Sequence, residues 1–142
     1  MGGIQYGAGG GGDPGAAIPI PFAATDFGAT GGMAWTVAPA NVTTFSYVLE
    51  GKKLTLWLRT KTTTVVAPVA GNNLTLKLPN GMKAAMEIVE VWFAAPGGGA
   101  LEQVLIATTV GSNLCTILRD AGNWVAGVNN TDVGGTLVIM VQ

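Results

Sequence analysis

From residue 45 to 79 the chain alternates between apolar and polar side chains. Over 53–59, Leu54, Leu56 and Leu58 fall on one side and Lys53, Thr55, Trp57 and Arg59 on the other. Leu74, Leu76 and Leu78 repeat the pattern against Thr75 and Lys77. A pleated strand points successive side chains to opposite faces, so a period of two predicts half-buried antiparallel strands. Gly51 supplies the turn between a strand ending at Glu50 and the strand that follows.

Comparable runs occupy 33–37, 45–49, 86–93, 101–110, 114–119 and 135–141, and 124–128 is a further short candidate. The β-branched run at 60–66 predicts a short edge strand, blunted by Lys61 and Pro68. Turn chemistry separates the runs: Pro79-Asn80-Gly81, Pro96 followed by three glycines, the stretch 120–123, and a loop at 129–132. No stretch has a sustained 3.6-residue period, and 82–89 is the best candidate for a helical turn. Many short strands at regular spacing predict an all-β fold: an antiparallel two-sheet sandwich of jelly-roll or immunoglobulin-like type. A Cys-Trp-Cys framework is missing, which disfavours a true immunoglobulin domain.

Two strands are apolar on both faces. In 86–93, Val89, Val91 and Phe93 oppose Ile88 and Trp92; in 136–141, Leu137, Ile139 and Val141 oppose Val138 and Met140. Two-sided burial in an antiparallel sheet calls for a second cover. Composition points the same way. Charged residues are 11% of the 142 and hydrophobic residues 49%, against about 25% charged in ordinary domains. So few charges leave much of the outer surface apolar, and a homo-oligomer is the usual way to cover it.

Residues 1–32 are of different material: 11 of the 22 glycines, three prolines, and only Asp13 and Asp26 as charges. This predicts an extended Gly/Pro-rich arm, with the sandwich domain at 33–142. The string at 7–12 formally matches a dinucleotide-binding glycine pattern, but no strand precedes it and Pro14 follows. Ile18, Ile20, Phe22 and Phe27 put bulky groups on the proline-stiffened arm and are candidate anchors, either in grooves of a neighbouring chain or folded back on the chain's own domain. Trp57, on the polar side of its strand, and Trp92, on the second face of 86–93, are further candidate interface residues.

The chemistry that can be excluded is extensive. With no histidine, neither a Ser-His-Asp nor a Cys-His arrangement can be built. One cysteine and no histidine exclude a structural zinc site. Cys115 lies in an apolar run and reads as a small core residue. Glu87 and Glu90, three apart in one strand, face opposite ways, while Asp120 and Asp132 occupy separate loops. Asn129, Asn130 and Asp132 offer oxygen ligands for calcium, although turn-satisfying Asx residues account for them more simply. The three Asn-X-Thr triplets at Asn41, Asn73 and Asn129 read as turn and strand-edge residues. No enzyme and no cofactor are expected. Net charge is −1 with scattered cations, so nucleic acid has no electrostatic footprint to bind. No apolar stretch is long enough to span a membrane as a helix, and no basic-then-apolar leader opens the chain.

The stretch 35–81 has a further regularity: Trp35-x-Val37, Asn41-Val42, Phe45-x-Tyr47, Gly51-Lys52, Leu54-Thr55, then Leu74-x-Leu76-x-Leu78-Pro79-x-Gly81. It resembles small jelly-roll modules in virions of tailed bacteriophages, across about a third of the chain in motif. Asn41 stands where that pattern often has Asp. The resemblance implies a structural virion protein made in the host cytoplasm and carried on the capsid exterior. It would be a trimeric decoration or cement protein, with the major capsid protein as partner and the arm extending over neighbouring subunits. The alternative it implies is a fibre-tip or carbohydrate-binding module, in which Trp57 or Trp124 would stack on a sugar.

Overall fold

The structure is a computed structural model and describes residues 16–120 and 122–142. Residues 1–15, with the glycine string and the first part of the expected arm, lie outside the described residues, as does Ala121 of the expected turn at 120–123. Among the described residues ten strands form one antiparallel sheet. They are β1 Ile18–Pro19, β2 Phe27–Ala29, β3 Ala34–Thr36, β4 Val42–Glu50, β5 Lys53–Val66, β6 Leu74–Lys77, β7 Val89–Ala95, β8 Glu102–Thr108, β9 Leu114–Leu118 and β10 Gly127–Met140. The order across the sheet is β1-β4-β5-β10-β7-β8-β9-β6-β2, with β3 paired to the far end of β5. No helix among these residues is long and apolar enough to cross a membrane.

The sheet curls until its ends meet. Phe27, on the last strand of the order, lies edge-on to Trp35 of β3 with ring centroids 5.4 Å apart, and 5.6 Å from Phe45 of β4. Inside the curl the leucines of β5 and β6 are buried with Val104, Ile106, Ile117, Leu137 and Ile139. The period of two therefore assigns the faces of β5 and β6 correctly.

The spine is the pair β5–β10. β5 is one continuous strand in the sheet interior, where a break and an edge strand at 60–66 were expected. Its first part pairs with β4 and its last residues with β3, while β10 runs alongside both. The expected loop at 129–132 likewise belongs to β10. The cause is a bend shared by both strands. Thr62 and Asn129 have φ of 57° and 54°, and the β10 register shifts twice between Gly127 and Val133. Side chains satisfy the backbone groups that the ladder loses there. Asp132 Oδ1 accepts from the Thr62 N–H at 2.8 Å, and Thr64 Oγ1 accepts from the Asn129 N–H at 2.9 Å. The buried hydroxyls of Thr60 and Thr63 donate to the carbonyls of Val133 and Thr131. Threonine suits this place because it combines β-branching with a donor that can replace a ladder bond. Turn-like Asx residues and threonines thus make a bulge inside a strand, which local composition alone cannot distinguish from a loop.

Two short pieces of the stretch expected as an arm join the sheet: β1 pairs with β4 through Ile18↔Tyr47, and β2 pairs with β6 through Phe27↔Leu76. Phe27 is buried in the chain's own core, and Ile20 and Phe22 pack against it. Apolar side chains from a Gly/Pro-rich segment are enough to close a curled sheet whose two ends would otherwise stay open. Both end strands are two or three residues long, and Pro19 removes a donor from one of them, so neither edge offers much to a pairing strand.

In place of the expected helical turn at 82–89, residues 82–88 are irregular chain and Val89 opens β7. Ala84 bridges Val141, its N–H donates to the Ser112 carbonyl, and the Ala85 N–H donates to that of Met140. This crossing segment leads into β7, whose backbone pairs with β10 only through residues 93–95. Beyond that point Trp92 fills the gap between the two strands.

Candidate docking surface

The outward side chains of four adjacent strands make the feature of greatest functional interest. β10 contributes Thr136, Val138 and Met140; β7 contributes Val89, Val91 and Phe93. β8 adds Gln103, Leu105 and Ala107, and β9 adds Leu114, Thr116 and Leu118. The register sets them side by side: Val91 opposite Leu105, Leu105 opposite Leu118, Val89 opposite Ala107. None of these residues is charged. The first cations appear on the flanking strands, Lys53 and Arg59 on β5 and Lys77 on β6. Val89 is 63% exposed, Val91 50% and Phe93 45%. Singly, exposed apolar residues are ordinary; contiguous and without charge, they mark an interaction surface.

A hollow of about 280 Å³ opens in this face where β5, β10 and β7 meet. Gly134 forms its floor, Phe93 and Leu101 stand beside it, and Arg59 and Asp132 lie on its rim. A Cβ at Gly134 would come 2.7 Å from the Leu58 carbonyl oxygen and 3.2 Å from the Arg59 Cα. Close approach of β5 therefore demands glycine, and the missing side chain leaves the hollow. Its size is at the low end for small-molecule sites and suits one inserted side chain. Leu101, 71% exposed, protrudes at the same place.

The sequence-predicted interface residues divide. Ile18 is exposed on β1, Ile20 and Phe22 are half-buried, and Phe27 is buried in the domain's own core. Trp57 does face outward, half-buried between Ser46 and Thr136. Trp92 does not: it is fully buried, and its indole N–H donates to the Thr136 carbonyl at 2.9 Å. The glycine opposite it explains why. A Cβ on Gly135 would lie 2.5 Å from the Trp92 ring, so the indole occupies the space that Gly135 leaves. Trp124, the loop-borne candidate for a sugar contact, is also buried, with 2% exposure.

The remaining chemistry is structural. Asn129 and Asp132, expected as possible calcium ligands, hold the β5–β10 bend. No group of three or more acidic, cysteine or histidine residues positioned for a metal occurs among the described residues. Cys115 is buried, and desolvation pushes its thiol up to about 12. Arg119 grips Glu102 through two bonds, Nε to Oε2 at 2.8 Å and Nη2 to Oε1 at 2.9 Å, and also donates to the Asn123 carbonyl. Its hydrogen bond to Glu102 raises the guanidinium pKa. Glu90 accepts from the Val138 N–H across the β7–β10 gap.

A second apolar group lies at the far end of the spine, where Gly127 pairs with Val65. Val66, Val69, Val125 and Val128 are exposed on or beside these strand ends. Part of the four-strand face was legible in the sequence, as Val89, Val91 and Phe93 with Val138 and Met140. Leu105, Leu114 and Leu118 were not, because runs apolar throughout do not declare which residues point outward. Comparison with family models, curated proteins and solved structures yields no match.

Proposed function

We propose that the chain is a structural virion protein: a jelly-roll-like β-sandwich that decorates or cements the capsid exterior of a tailed bacteriophage as a homo-oligomer. Its work is binding, not catalysis. The observation that carries this reading is the uncharged face of β7–β10, which a solitary domain would leave in water at continuing cost. The virion setting comes from the motif resemblance over 35–81. The valine group at the end of the spine gives a second, separate contact surface, as a protein held between its own copies and a major capsid protein needs. Bound partners at high effective concentration would strengthen each contact without new chemistry.

The test is to look for the chain, by antibody and by mass spectrometry, in particles purified from cultures that produce it. It should band with heads and be released when heads are disrupted. A chain found only in the soluble host fraction would remove the reading. The fibre-tip alternative retains one supporting observation, the outward Trp57 flanked by Ser46 and Thr136, an aromatic platform with hydroxyls beside it. It predicts a glycan-array signal lost in Trp57→Ala, and a silent array would leave the decoration reading ahead.

A further inference from the structure

The uncharged face has a shape as well as a composition, and the two together select one occupant. Six of its side chains or their neighbours, Val89, Val91, Phe93, Leu101, Val138 and Met140, are 39–71% exposed. Taking accessible areas of roughly 150–200 Å² for each, they leave on the order of 500 Å² of apolar surface in water. A standard interface takes about 800 Å² from each partner, and homodimer interfaces are roughly 65% apolar, which asks for a similar apolar area. The end strands β1 and β2 are two and three residues long, with Pro19 in β1, and offer little to strand addition, so the contact is placed on the broad apolar face.

The outward side chains of β7–β10 carry no charge, and the charges beside them, Glu90 at the Val138 N–H in the β7–β10 gap and Arg59 and Asp132 at the hollow, are of both signs, so charge does not single out a foreign partner. What the face has is self-complementarity. Leu101 protrudes beside the hollow above Gly134, a knob next to a hole. Arg59 and Asp132, of opposite sign, share the rim of the same hollow. A two-fold contact requires that each patch be complementary to itself, residue i meeting j and j meeting i. A knob beside a hole and a cation beside an anion meet that requirement together. The other copy is also the one partner always present as this face forms.

We propose that the outer faces of β7–β10 of two copies pack about a two-fold axis, Leu101 of each filling the Gly134 hollow of the other, with Arg59 facing Asp132 across the rim. The contact gives even-numbered assemblies, in contrast with the trimer that the motif resemblance implies. It rests on the face alone, so failure of the chain to band with phage heads leaves it untouched.

The experiment is analytical ultracentrifugation and native mass spectrometry of the full chain from about 1 to 100 μM. A dimer or an even-numbered oligomer is expected. Val91→Glu, outward and half-exposed, should weaken association at least 100-fold while keeping the wild-type β-sheet circular dichroism. Leu101→Glu, on a loop before β8, should do the same and serves if the strand variant fails to fold. Val69→Glu, at the far end of the spine, should leave association unchanged. A monomer at 100 μM, a trimer, or a dimer undisturbed by Leu101→Glu overturns the proposal.

Discussion

Replacing Gly135 by alanine tests how β10 and Trp92 are fitted to each other. The added Cβ would sit 2.5, 2.6 and 2.8 Å from three atoms of the indole, inside the closest approach that carbon atoms tolerate. Trp92 is fully buried and cannot move outward without breaking its bond to the Thr136 carbonyl. If the ring holds its place, overpacking costs about 1–3 kcal/mol. If it turns away, a buried indole N–H loses its acceptor at a similar cost, about 1–3 kcal/mol. Either way the expected destabilisation is about 1–3 kcal/mol, or roughly 3–10 °C in Tm for a chain of this size. The assay is urea unfolding at one fixed chain concentration, followed by tryptophan fluorescence and far-UV circular dichroism, since association would otherwise shift the midpoint. Gly32→Ala is the control: nothing lies within 4 Å of its Cβ position and its φ is not positive, so alanine there should be neutral or stabilising by about 0.5 kcal/mol. The double variant Gly135→Ala with Trp92→Phe should lose less than the sum of the single changes, because they share one space. A Gly135→Ala protein as stable as Gly32→Ala would show that Trp92 does not need the space beside Gly135.

Four further outcomes follow from the same structure. Removing residues 1–15 should leave a cooperative unfolding transition, whereas removing 1–32 takes away β1, β2 and Phe27 and should abolish it; an intact fold in the longer truncation would show that the sheet closes without them. Thr63→Val leaves the Trp35 indole N–H, now 2.9 Å from Thr63 Oγ1, without its acceptor, and should cost about 1–3 kcal/mol in a denaturant titration. The Cys115 thiol should resist thiol reagents at pH 8 until denaturant is added; because its folded pKa lies above the ordinary 9.0, the unfolded state releases its proton first, so stability should fall between about pH 9 and 12, by roughly 1.4 kcal/mol at pH 10. Glu102→Gln should cost only about 0.5–1.5 kcal/mol, since both partners of the Arg119 pair are partly exposed, and a thermal melt showing a larger loss would mean the loop at Asn123 depends on it.

How much of this was legible in the sequence depended on how one-sided each strand is. β5 and β6 alternate leucine with polar residues, and their faces follow at once from a period of two. The β5–β10 bend was hidden because threonine and asparagine serve turns and bulges equally well; only pairing across 70 residues, Thr62 to Asp132, shows that they lie within a ladder. The role of 16–32 was hidden for a different reason. Glycine and proline composition predicts local mobility, but Phe22, Phe27 and Trp35 meet only through tertiary closure. Composition did indicate an excess of apolar surface; the register across β10, β7, β8 and β9 was needed to say where it lies.

β7 shows why the docking face and the fold are separable. Both of its faces are apolar, so its own pattern leaves the inward side undecided, and a shift of one residue would exchange Trp92 for Val91 or Phe93. The decision is made on the neighbouring strand. Gly135 leaves room for an indole and for no added atom, and the Thr136 carbonyl supplies the acceptor that a buried indole requires. With Trp92 fixed inward, Val89, Val91 and Phe93 have no part in the core. Threonine or lysine at those positions would serve a solvated strand face at least as well. A chain that keeps them, beside Leu105, Leu118, Val138 and Met140 and with no charge among them, maintains a surface that its own fold does not use. That surplus is what the proposed two-fold contact would bury.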